Sequence, residues 1–518
     1  MNRTRRLLSV VAGLVVASLA FSACGVLWDP KAQASPRASL APNLDAVPEG
    51  FDDFYAQSLD WRECDGIDEG TYDCTEVKAP LDWTDPDGDE IELAVVRRHA
   101  DSGSPAGSLL TNPGGPGASG FGLIANSALF AVGEKLAEAY DVIGFDPRGV
   151  GRSTAVACLD PEAMDAYLYD IPSHPRGTPA WERELTEANR AFAEACETES
   201  GDILPFITTE NAARDLDLLR AVLGDATLNY LGYSYGTFLG ATYAKLFPER
   251  VGRLVLDGAV DPSISGIDLG KVQTAGFESA LRAYMEACLG EGDCPFRGTL
   301  DDALEDLSTL LASVDRTPLA NDDGRRLGAD TLVTAIVSAM YAEVRWPYLT
   351  QALADALAGD PALAFALADD YNSRAADGSY YDNTAEAFRA YNCMDYPIED
   401  DPAAEAAARE YIAEHAPTIA PYSEGVETCT DWPAAPTGVR ERITADGAAP
   451  IVVVGTTNDP ATPYSWAEAL ADQLASGVLV TRVGEGHTGF NKGNACVDDA
   501  VESYLLEGVV PGDGLRCD

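Results

Sequence analysis

Short apolar runs alternate with helical patterns through the first half of the chain. The runs IELAVVRRH, SLLTN, YDVIGFD, LNYLGY and RLVLDGAV have the composition of buried strands. They begin at Ile91, Ser108, Tyr140, Leu228 and Arg253. Between them, NAARDLDLLRAVLG repeats its apolar residues at helical spacing. Strands separated by helices predict an α/β fold, with a mostly parallel sheet that helices flank on both faces.

The pattern changes to helices between residues 262 and 430. Stretches such as DDALEDLSTLLASV and ADTLVTAIVSAMYAEV dominate there, and strand patterns return only at PIVVVGTTND and GVLVTRVGEGH. The segment after residue 430 is too small for a core of its own. We therefore predict one sheet-based core, built from residues 51–261 and 431–518, with residues 262–430 inserted as a helical cap.

The N-terminal residues have the pattern of an export signal. Three arginines precede an apolar stretch that runs to Ala20, and FSAC then brings small residues before Cys24. This ending resembles the bacterial lipobox, in which the cysteine is lipidated; an ordinary signal peptide or an uncleaved anchor is the alternative. We predict a lipoprotein signal peptide at 1–23 and a flexible tether at 24–50. The rest of the chain is then exported, either anchored outside the cell membrane or secreted.

The charge of the chain excludes one class of partner. Acidic residues number 84 and basic residues 35, which gives a formal net charge of −49. Such a surface repels the phosphates of nucleic acids, so we expect no nucleic-acid partner. Hydrophobic residues make up 46% of the chain, which is enough for a large buried core.

The cysteines fit an oxidising compartment. The chain has 11 of them, and setting Cys24 aside for lipidation leaves an even number. Pairing of sequence neighbours, one of many connectivities that this number allows, gives Cys64–Cys74, Cys158–Cys196, Cys288–Cys294, Cys393–Cys429 and Cys496–Cys517. There is no CxxC pair, and the histidines lie far apart in the sequence, so we expect neither a metal site nor a cofactor.

A candidate nucleophile lies in the sequence GYSYG. These five letters alone arise by chance in roughly one such chain in five, so their context decides between a nucleophile and an ordinary serine. Ser234 lies between the strand pattern LNYLGY and the helix pattern TFLGATYAKLF. Gly232 and Gly236 let the strand and the helix approach each other at a strained turn. The N–H of Tyr235, at the start of the helix, then faces a developing oxyanion.

A serine nucleophile needs a base, and the chain has four histidines. Only His487, in VTRVGEGHTGF, follows a late strand, where a loop histidine lies over the edge of the sheet. We rank the others lower, because His99 ends an early strand and His174 and His415 lie in loop or cap regions. A surface histidine flanked by glycine is the alternative for His487.

An acid must orient the histidine and stabilise its charged form. Asp459 directly follows the buried strand in PIVVVGTTNDPATP and falls between the serine and the histidine along the chain. We therefore predict Asp459 as the acid. Asp261 is a rival and Asp257 a weaker one, and an Asp-Pro turn residue is the alternative for Asp459 itself.

A second oxyanion donor is expected from a glycine-rich loop after an early strand. SLLTNPGGPGASG supplies such a loop, in which Gly114 or Gly115 presents a backbone N–H without steric hindrance. Phosphate binding is the alternative for a loop of this composition. No Gly-Lys-Ser/Thr sequence follows, however, and the glycines lack the spacing of a dinucleotide site.

The order Ser234, Asp459, His487 resembles that of the α/β-hydrolase fold. The loops NPGGPG and FDPRGVGRS and the GYSYG turn resemble the prolyl-aminopeptidase branch, and the layout from about residue 50 to 518 is similar to that of secreted bacterial tripeptidyl aminopeptidases. Prolyl aminopeptidases usually carry His before the oxyanion glycines, whereas this chain has Asn112-Pro113. The resemblance implies a serine exopeptidase that releases short peptides, three residues long, from free N-termini through an acyl-enzyme.

An exopeptidase must bind the ammonium group of its substrate, which a partly desolvated carboxylate does well. We predict Asp395, in AYNCMDYP beside Cys393, for this role, with Glu399 as a second carboxylate. In a chain this acidic, an ordinary structural carboxylate is the alternative.

Peptides are the expected partners, and the lipid anchor is the only expected contact with a membrane. Two rival functions stay open. An esterase or lipase would use the same triad on carboxylic esters. A solute-binding lipoprotein would share the lipobox and the large exported body but would need no ordered Ser, Asp and His.

Overall fold

A mixed sheet of ten strands forms the centre of the protein in the computed structural model, which describes residues 40–67, 70–423 and 426–518. The strands are β1 (Arg62–Glu63), β2 (Tyr72–Pro80), β3 (Glu90–Arg98), β4 (Ser108–Asn112), β5 (Asp141–Phe145), β6 (Leu228–Tyr233), β7 (Val251–Asp257), β8 (Leu319–Ala320), β9 (Arg326–Leu327), β10 (Ile451–Asn458), β11 (Gly477–Glu485) and β12 (Leu515–Cys517). Strands β8 and β9 form a separate small hairpin.

The large sheet has the order β1-β2-β3-β5-β4-β6-β7-β10-β11-β12. Every neighbouring pair from β5 to β12 is parallel, which confirms the predicted α/β fold with a mostly parallel sheet. The first three strands pair antiparallel with their neighbours. The pattern of the chain did not predict this antiparallel edge.

Helices alternate with the strands and cover both faces of the sheet. They are α1 (Asp52–Tyr55), α2 (Gly120–Ala139), α3 (Pro161–Tyr169), α4 (Pro179–Ser200), α5 (Thr209–Val222), α6 (Tyr235–Leu246), α7 (Gly266–Gly290), α8 (Leu300–Arg316), α9 (Ala329–Met340), α10 (Trp346–Ala358), α11 (Ala362–Tyr371), α12 (Thr384–Asp395), α13 (Pro402–His415), α14 (Ala420–Ser423), α15 (Tyr464–Gln473) and α16 (Ala495–Glu507). Single 3₁₀ turns lie at Leu204–Phe206, Pro248–Arg250 and Glu343–Arg345. The predicted helix around residue 211 is α5. Thr208 caps its N-terminus, because the Thr208 side chain accepts a hydrogen bond from the Asn211 N–H.

Alternate residues of the central strands enter different hydrophobic cores. In β4, Leu109 packs with α2 and α16 on one face, and Leu110 packs with α5 and α6 on the other. A third core is formed by helices α7 to α11, which follow β7 and precede β10 in the sequence and pack on each other. These five helices are called the cap below. Its centre includes Leu281, Leu307, Leu332 and Leu353.

Helix α12 does not pack with the cap, although the predicted cap extends to residue 430. Its residues Ala390, Tyr391 and Met394 join the core formed with α5 and α6. The ring of Tyr391 lies edge-on to that of Tyr235, with 5.7 Å between ring centroids. The helix therefore supports the start of α6, because its apolar face has a partner there.

Five disulfide bonds join the cysteines of the described residues, and they follow the neighbour pairing. They are Cys64–Cys74, Cys158–Cys196, Cys288–Cys294, Cys393–Cys429 and Cys496–Cys517. The Cys393–Cys429 bond connects α12 to the segment that returns to β10.

The N-terminal predictions fall largely beyond the described residues. The predicted signal peptide 1–23, Cys24 and the tether up to residue 39 lie outside them. The last part of the predicted tether contacts the main core, since the Asn43 N–H donates to the Ala221 carbonyl at 2.8 Å. Among the described helices, none has the length and apolar character that crossing a membrane requires.

A buried ion pair fixes the FDPRGVGRS loop that follows β5. The guanidinium of Arg148 donates to both carboxylate oxygens of Asp215 at 2.6 and 2.7 Å, and both side chains are at most 1% exposed. Arg148 also donates to the carbonyls of Pro80 and Leu81, and Trp83 Nε1 donates to Asp215. The pair therefore connects the loop, the end of β2 and helix α5 in one network.

Replacing Asp215 with alanine is expected to lower the free energy of unfolding by about 3–5 kcal/mol, because it leaves the Arg148 charge buried without a counter-charge. The measurement is denaturant unfolding with the disulfides intact. The control is Glu76→Ala, which removes the partner of Arg62 from a pair in which both side chains are about half exposed, 57% and 49%; it should cost less than about 1 kcal/mol. Equal losses in the two variants would contradict the prediction.

Candidate active site

Ser234 occupies a strained turn between β6 and α6. Its backbone has φ 55° and ψ −125°, a conformation that non-glycine residues rarely adopt. The turn is tight, because a Cβ on Gly232 would lie 2.5 Å from the Gly236 carbonyl oxygen. The Ser234 N–H donates to the carbonyl of Asp257 at 2.9 Å, which ties the turn to the end of the neighbouring strand β7. This is the geometry of a nucleophile elbow.

Asp459 and His487 meet at the carboxyl ends of β10 and β11. His487 Nδ1 lies 2.9 Å from both carboxylate oxygens of Asp459, which is only 3% exposed. The carboxylate also accepts the N–H groups of Ala461, Thr462 and Thr488, which fix it in position. When the neutral ring carries its proton on Nδ1 and donates it to Asp459, His487 Nε2 keeps a free lone pair, as a general base requires.

His487 Nε2 is buried and has no hydrogen-bond partner among the described residues. No hydrogen bond between it and the Ser234 hydroxyl is formed in this structure. Hydrogen bonds between catalytic groups are often long without substrate and shorten when it binds. The Thr462 hydroxyl, 3.3 Å from His487 Nδ1, is a further polar neighbour of the ring.

The rival acids have other partners. The carboxylate of Asp257 accepts the N–H groups of Gly489 and Phe490 at 2.7 and 2.8 Å, so it holds the loop that follows His487. Burial raises the pKa of Asp257 to about 6, and these two hydrogen bonds oppose that shift. Asp261 accepts hydrogen bonds from Ser263 and from Gln473.

The other three histidines lie in other polar contacts. His99 forms an ion pair with Asp73, His174 with Glu184, and His415 stacks on Tyr411. The structure thus brings His487, of the four, together with the predicted acid.

The predicted oxyanion loop packs directly on the elbow. A Cβ on Gly114 would lie 2.6 Å from the Tyr233 carbonyl oxygen and 2.8 Å from Ser234 Cβ. The N–H of Gly114, however, already donates to Asn112 Oδ1 at 2.9 Å. Of the two glycines predicted as alternative oxyanion donors, this hydrogen bond favours Gly115, because the Gly114 N–H already has a partner. The N–H groups of Gly115 and Tyr235 have no acceptor within the described part of the chain.

A cavity of about 760 Å³ lies over this edge of the sheet, between the core and the cap. Pro113, Tyr233 and His487 line its floor. Apolar and aromatic side chains make up much of its wall, including Leu123, Phe130, Tyr341, Val344 and Tyr371. Its volume fits a small organic ligand or a few amino-acid residues.

The cap contacts the candidate base directly through Tyr341, which follows α9. The His487 N–H donates to the Tyr341 carbonyl at 2.9 Å, and the two rings meet edge-to-face with 5.3 Å between centroids. Gly486 permits this approach, because it has φ 89° and a Cβ there would lie 3.0 Å from the Tyr341 carbonyl oxygen. Sequence reasoning missed Tyr341; the only local signal was the glycine before His487.

Asp395 and Glu399, predicted to bind a substrate amine, are not among the residues that line this cavity. Asp395 is 4% exposed, and its carboxylate accepts the N–H and the hydroxyl of Thr209 at 3.0 and 2.6 Å. The Thr209 hydroxyl lies 2.5 Å from the hydroxyl of Tyr235, so Asp395 braces the start of α6. Burial raises the pKa of Asp395 to about 6. Glu399 accepts the Gly266 N–H at the start of α7.

The arrangement has the parts that acyl transfer needs: a nucleophilic hydroxyl on a strained turn, a base oriented by an acid, and free backbone N–H groups near the turn. The described residues contain no group of three or more His, Cys, Asp or Glu side chains suited to hold a metal ion.

Similarity to known proteins agrees with this site. The family model described as "TAP-like protein" matches residues 418–517, which carry Asp459 and His487. "Serine protease Hip1" of Mycobacterium tuberculosis is 35% identical over 489 residues, or 89% of this chain and 91% of that protein. "Carboxylesterase B" of the same species is 37% identical over 478 residues, or 89% and 90% of the two chains. "Tripeptidyl aminopeptidase" of Streptomyces coelicolor is 33% identical over 472 residues, or 89% and 86%.

Gly114→Ala is expected to lower kcat for an activated acyl ester by about 100-fold or more. The added methyl group would collide with the elbow and shift Ser234, and a shift of about 1 Å in a catalytic group is enough for a loss of this size. Steady-state kinetics with p-nitrophenyl acetate measure the effect. The control is Gly447→Ala, at a similar φ (93° against 98°) but with nothing within 4 Å of its Cβ position. It should lose about 1–2 kcal/mol of stability and keep its kcat. A normal kcat in Gly114→Ala would contradict the assigned packing.

Proposed function

The chain belongs to the TAP-like family of α/β-hydrolase-fold serine hydrolases, and from that premise we propose that it is a serine exopeptidase that releases short peptides, three residues long, from free N-termini. The observation that carries the proposal is the Asp459–His487 pair, whose histidine lines the floor of a cavity large enough for a few residues. Relatives named as a serine protease and a tripeptidyl aminopeptidase support the peptide substrate.

The proposed reaction proceeds through an acyl-enzyme. Ser234 Oγ attacks the carbonyl carbon of the scissile amide while His487 Nε2 takes its proton, and Asp459 stabilises the imidazolium. The N–H groups of Tyr235 and Gly115 stabilise the oxyanion of the tetrahedral intermediate. His487 then protonates the leaving amine as the C–N bond breaks. A water molecule, deprotonated by His487, attacks the acyl-enzyme, and the peptide is released as the Ser234 hydroxyl forms again.

A carboxylic-ester hydrolase is the second candidate function. The aromatic and aliphatic wall of the cavity, with Phe130, Val344 and Tyr371, favours apolar acyl groups. A relative named carboxylesterase is as similar as those named peptidases. Both functions use the same triad, so only the preferred acyl group and leaving group separate them.

Export and lipid anchoring are part of the proposal. We infer that the chain is cleaved before Cys24, lipidated there and held at the outer face of the cell membrane. The lipobox-like FSAC sequence supports this, and so do the five disulfide bonds, which persist in oxidising compartments.

A fluorophosphonate is expected to label the wild-type protein at Ser234 and to leave Ser234→Ala unlabelled, because only the activated hydroxyl forms the covalent bond. Turnover in Ser234→Ala should fall roughly 10⁴- to 10⁶-fold. Mass spectrometry identifies the labelled residue, and Ser104→Ala, at an exposed serine, is the control. Absence of labelling would favour the solute-binding alternative.

To separate peptidase from esterase, kcat/KM is compared for Ala-Ala-Ala p-nitroanilide and p-nitrophenyl butyrate after correction for spontaneous hydrolysis. A greater enhancement on the ester would favour the second candidate function.

Cys24→Ser is expected to move the protein from the detergent phase to the aqueous phase of a Triton X-114 extract and to abolish incorporation of labelled palmitate, because the acyl chains attach at that thiol. Expression in a bacterium that processes lipoproteins and phase partitioning of whole-cell extracts provide the measurement. Continued partitioning of Cys24→Ser into detergent would instead indicate an uncleaved N-terminal anchor.

A further inference from the structure

The cavity above His487 contains carboxylates from both the core and the cap. Glu485 is the last residue of β11, and Glu343 begins the 3₁₀ turn that follows α9. A third carboxylate, Asp370, is paired with Arg345 at 2.5 Å. Glu485 and Glu343 are therefore the two carboxylates that line the cavity from the core and from the cap without such a pairing.

Neither of these two glutamates has an ion-pair partner within the described ranges. Arg482, which also lines the cavity, uses its Nη1 to donate to the Glu485 backbone carbonyl at 2.7 Å. Arg345, the last residue of the 3₁₀ turn before α10, donates to Asp370 and to the Ser338 hydroxyl. Lys492, the third cation that lines the cavity, lies over the Phe130 ring at 3.8 Å. These three cations thus contact other groups and form no ion pair with Glu485 or Glu343 in the described part of the chain.

Glu485 is held in place by a neutral partner. Its carboxylate accepts a hydrogen bond from Asn458 Nδ2 at the end of β10, and the Asn458 Oδ1 accepts one from Ser279 of the cap helix α7 at 2.6 Å. Burial raises the pKa of Glu485 and the Asn458 hydrogen bond lowers it, while the charge of Glu343 raises it and that of Arg482 lowers it. A cation between Glu485 and Glu343 would relieve this repulsion.

A second observation places a ligand beside these carboxylates. The His487 side chain is 9% exposed, lines the same cavity, and its Nε2 has no partner within the described part of the chain. A buried polar atom without a partner costs free energy, so this nitrogen is arranged to meet a group that enters the cavity. The same ligand that approaches His487 must therefore pass close to Glu485.

We propose that Glu485 and Glu343 together bind the N-terminal ammonium group of the peptide substrate. The assignment rests on the proposed exopeptidase function. In this proposal Glu485 and Glu343, which line the cavity, have the amine-binding role that the sequence predicted for Asp395.

The dimensions agree with a short acyl group. Glu485 precedes His487 by two residues, so their Cα atoms lie at most about 7 Å apart, and both side chains line the same cavity. Three extended residues span about 10 Å. An ammonium fixed at Glu485 would therefore place the third carbonyl near His487 and leave the side chains against the apolar wall at Phe130, Val344 and Tyr371.

Glu485→Gln tests the proposal by the preference for a free amine. Three substrates are compared: Ala-Ala-Ala p-nitroanilide, its N-acetylated form, and N-acetyl-Lys-Ala-Ala p-nitroanilide. In the wild type, kcat/KM for the free amine should exceed that for the acetylated form. In Glu485→Gln this ratio should fall about 10- to 100-fold, mainly through KM, because a charge-assisted hydrogen bond is lost. Glu343→Gln, at an exposed residue, should lower the ratio several-fold.

Two charge-matched controls separate local from general electrostatic effects. Glu468→Gln on α15 and Glu410→Gln on α13 remove the same charge from exposed positions outside the cavity. Both should keep the wild-type ratio. Because Glu343 is exposed, its variant also provides a folded protein if Glu485→Gln does not fold.

Several outcomes would overturn the proposal. An equal loss on free and acetylated peptides in Glu485→Gln would show a structural role through Asn458. Wild-type cleavage of free and acetylated peptides at the same rate would remove the ammonium site but leave a serine peptidase. Cleavage of the acetyl-Lys substrate at the rate of the free amine, with the same sensitivity to Glu485→Gln, would assign the pair to a lysine side chain. Turnover of esters alone would overturn the proposed function and this inference with it.

Discussion

The positive φ of Ser234 is the constraint around which the rest of the site is built. A serine adopts this conformation only when its surroundings enforce it. Here the Ser234 N–H is tied to the Asp257 carbonyl, and Gly232 and Gly236 bring the strand and the helix to within van der Waals contact. The loop at Gly114 closes the turn from the other side. Even Asp395, which is distant in sequence, acts on the turn through Thr209 and Tyr235.

The sheet order converts this local turn into an active-site arrangement. Strands β6, β7, β10 and β11 are neighbours and parallel, so their carboxyl ends lie along one edge of the sheet. Ser234, Asp459 and His487 each follow one of these ends, and Asp257 at the fourth braces the loop after His487. Residues that are more than 200 positions apart in the chain are thereby brought together by the pairing of strands.

Sequence patterns predicted the features that depend on local chemistry. The strand-to-helix turn at Ser234 and the loop carrying Asp459 both have signals within a few residues. The disulfide bonds have no such local signal, because their cysteines lie up to 38 residues apart, and they follow one of the many connectivities that the sequence allowed. The antiparallel edge, the packing of α12 and the contact of Tyr341 with His487 were not predicted. They depend on surfaces that meet only in the folded chain, and the residues involved are ordinary apolar or acidic ones. Asp395 shows the same limit, because burial by Thr209 and Tyr235 decided its role.

The backbone N–H of His487 donates to the Tyr341 carbonyl, so the cap helps to hold the candidate base in position. A cap that swung away as a free lid would remove one support of the base. Substrate choice and turnover are therefore coupled in this architecture: a change of cap that alters the cavity also alters how the histidine is held. Exchanging the whole cap to change specificity would therefore also disturb His487. Substitutions on the cavity wall that leave the end of α9 unchanged would change specificity without moving the histidine.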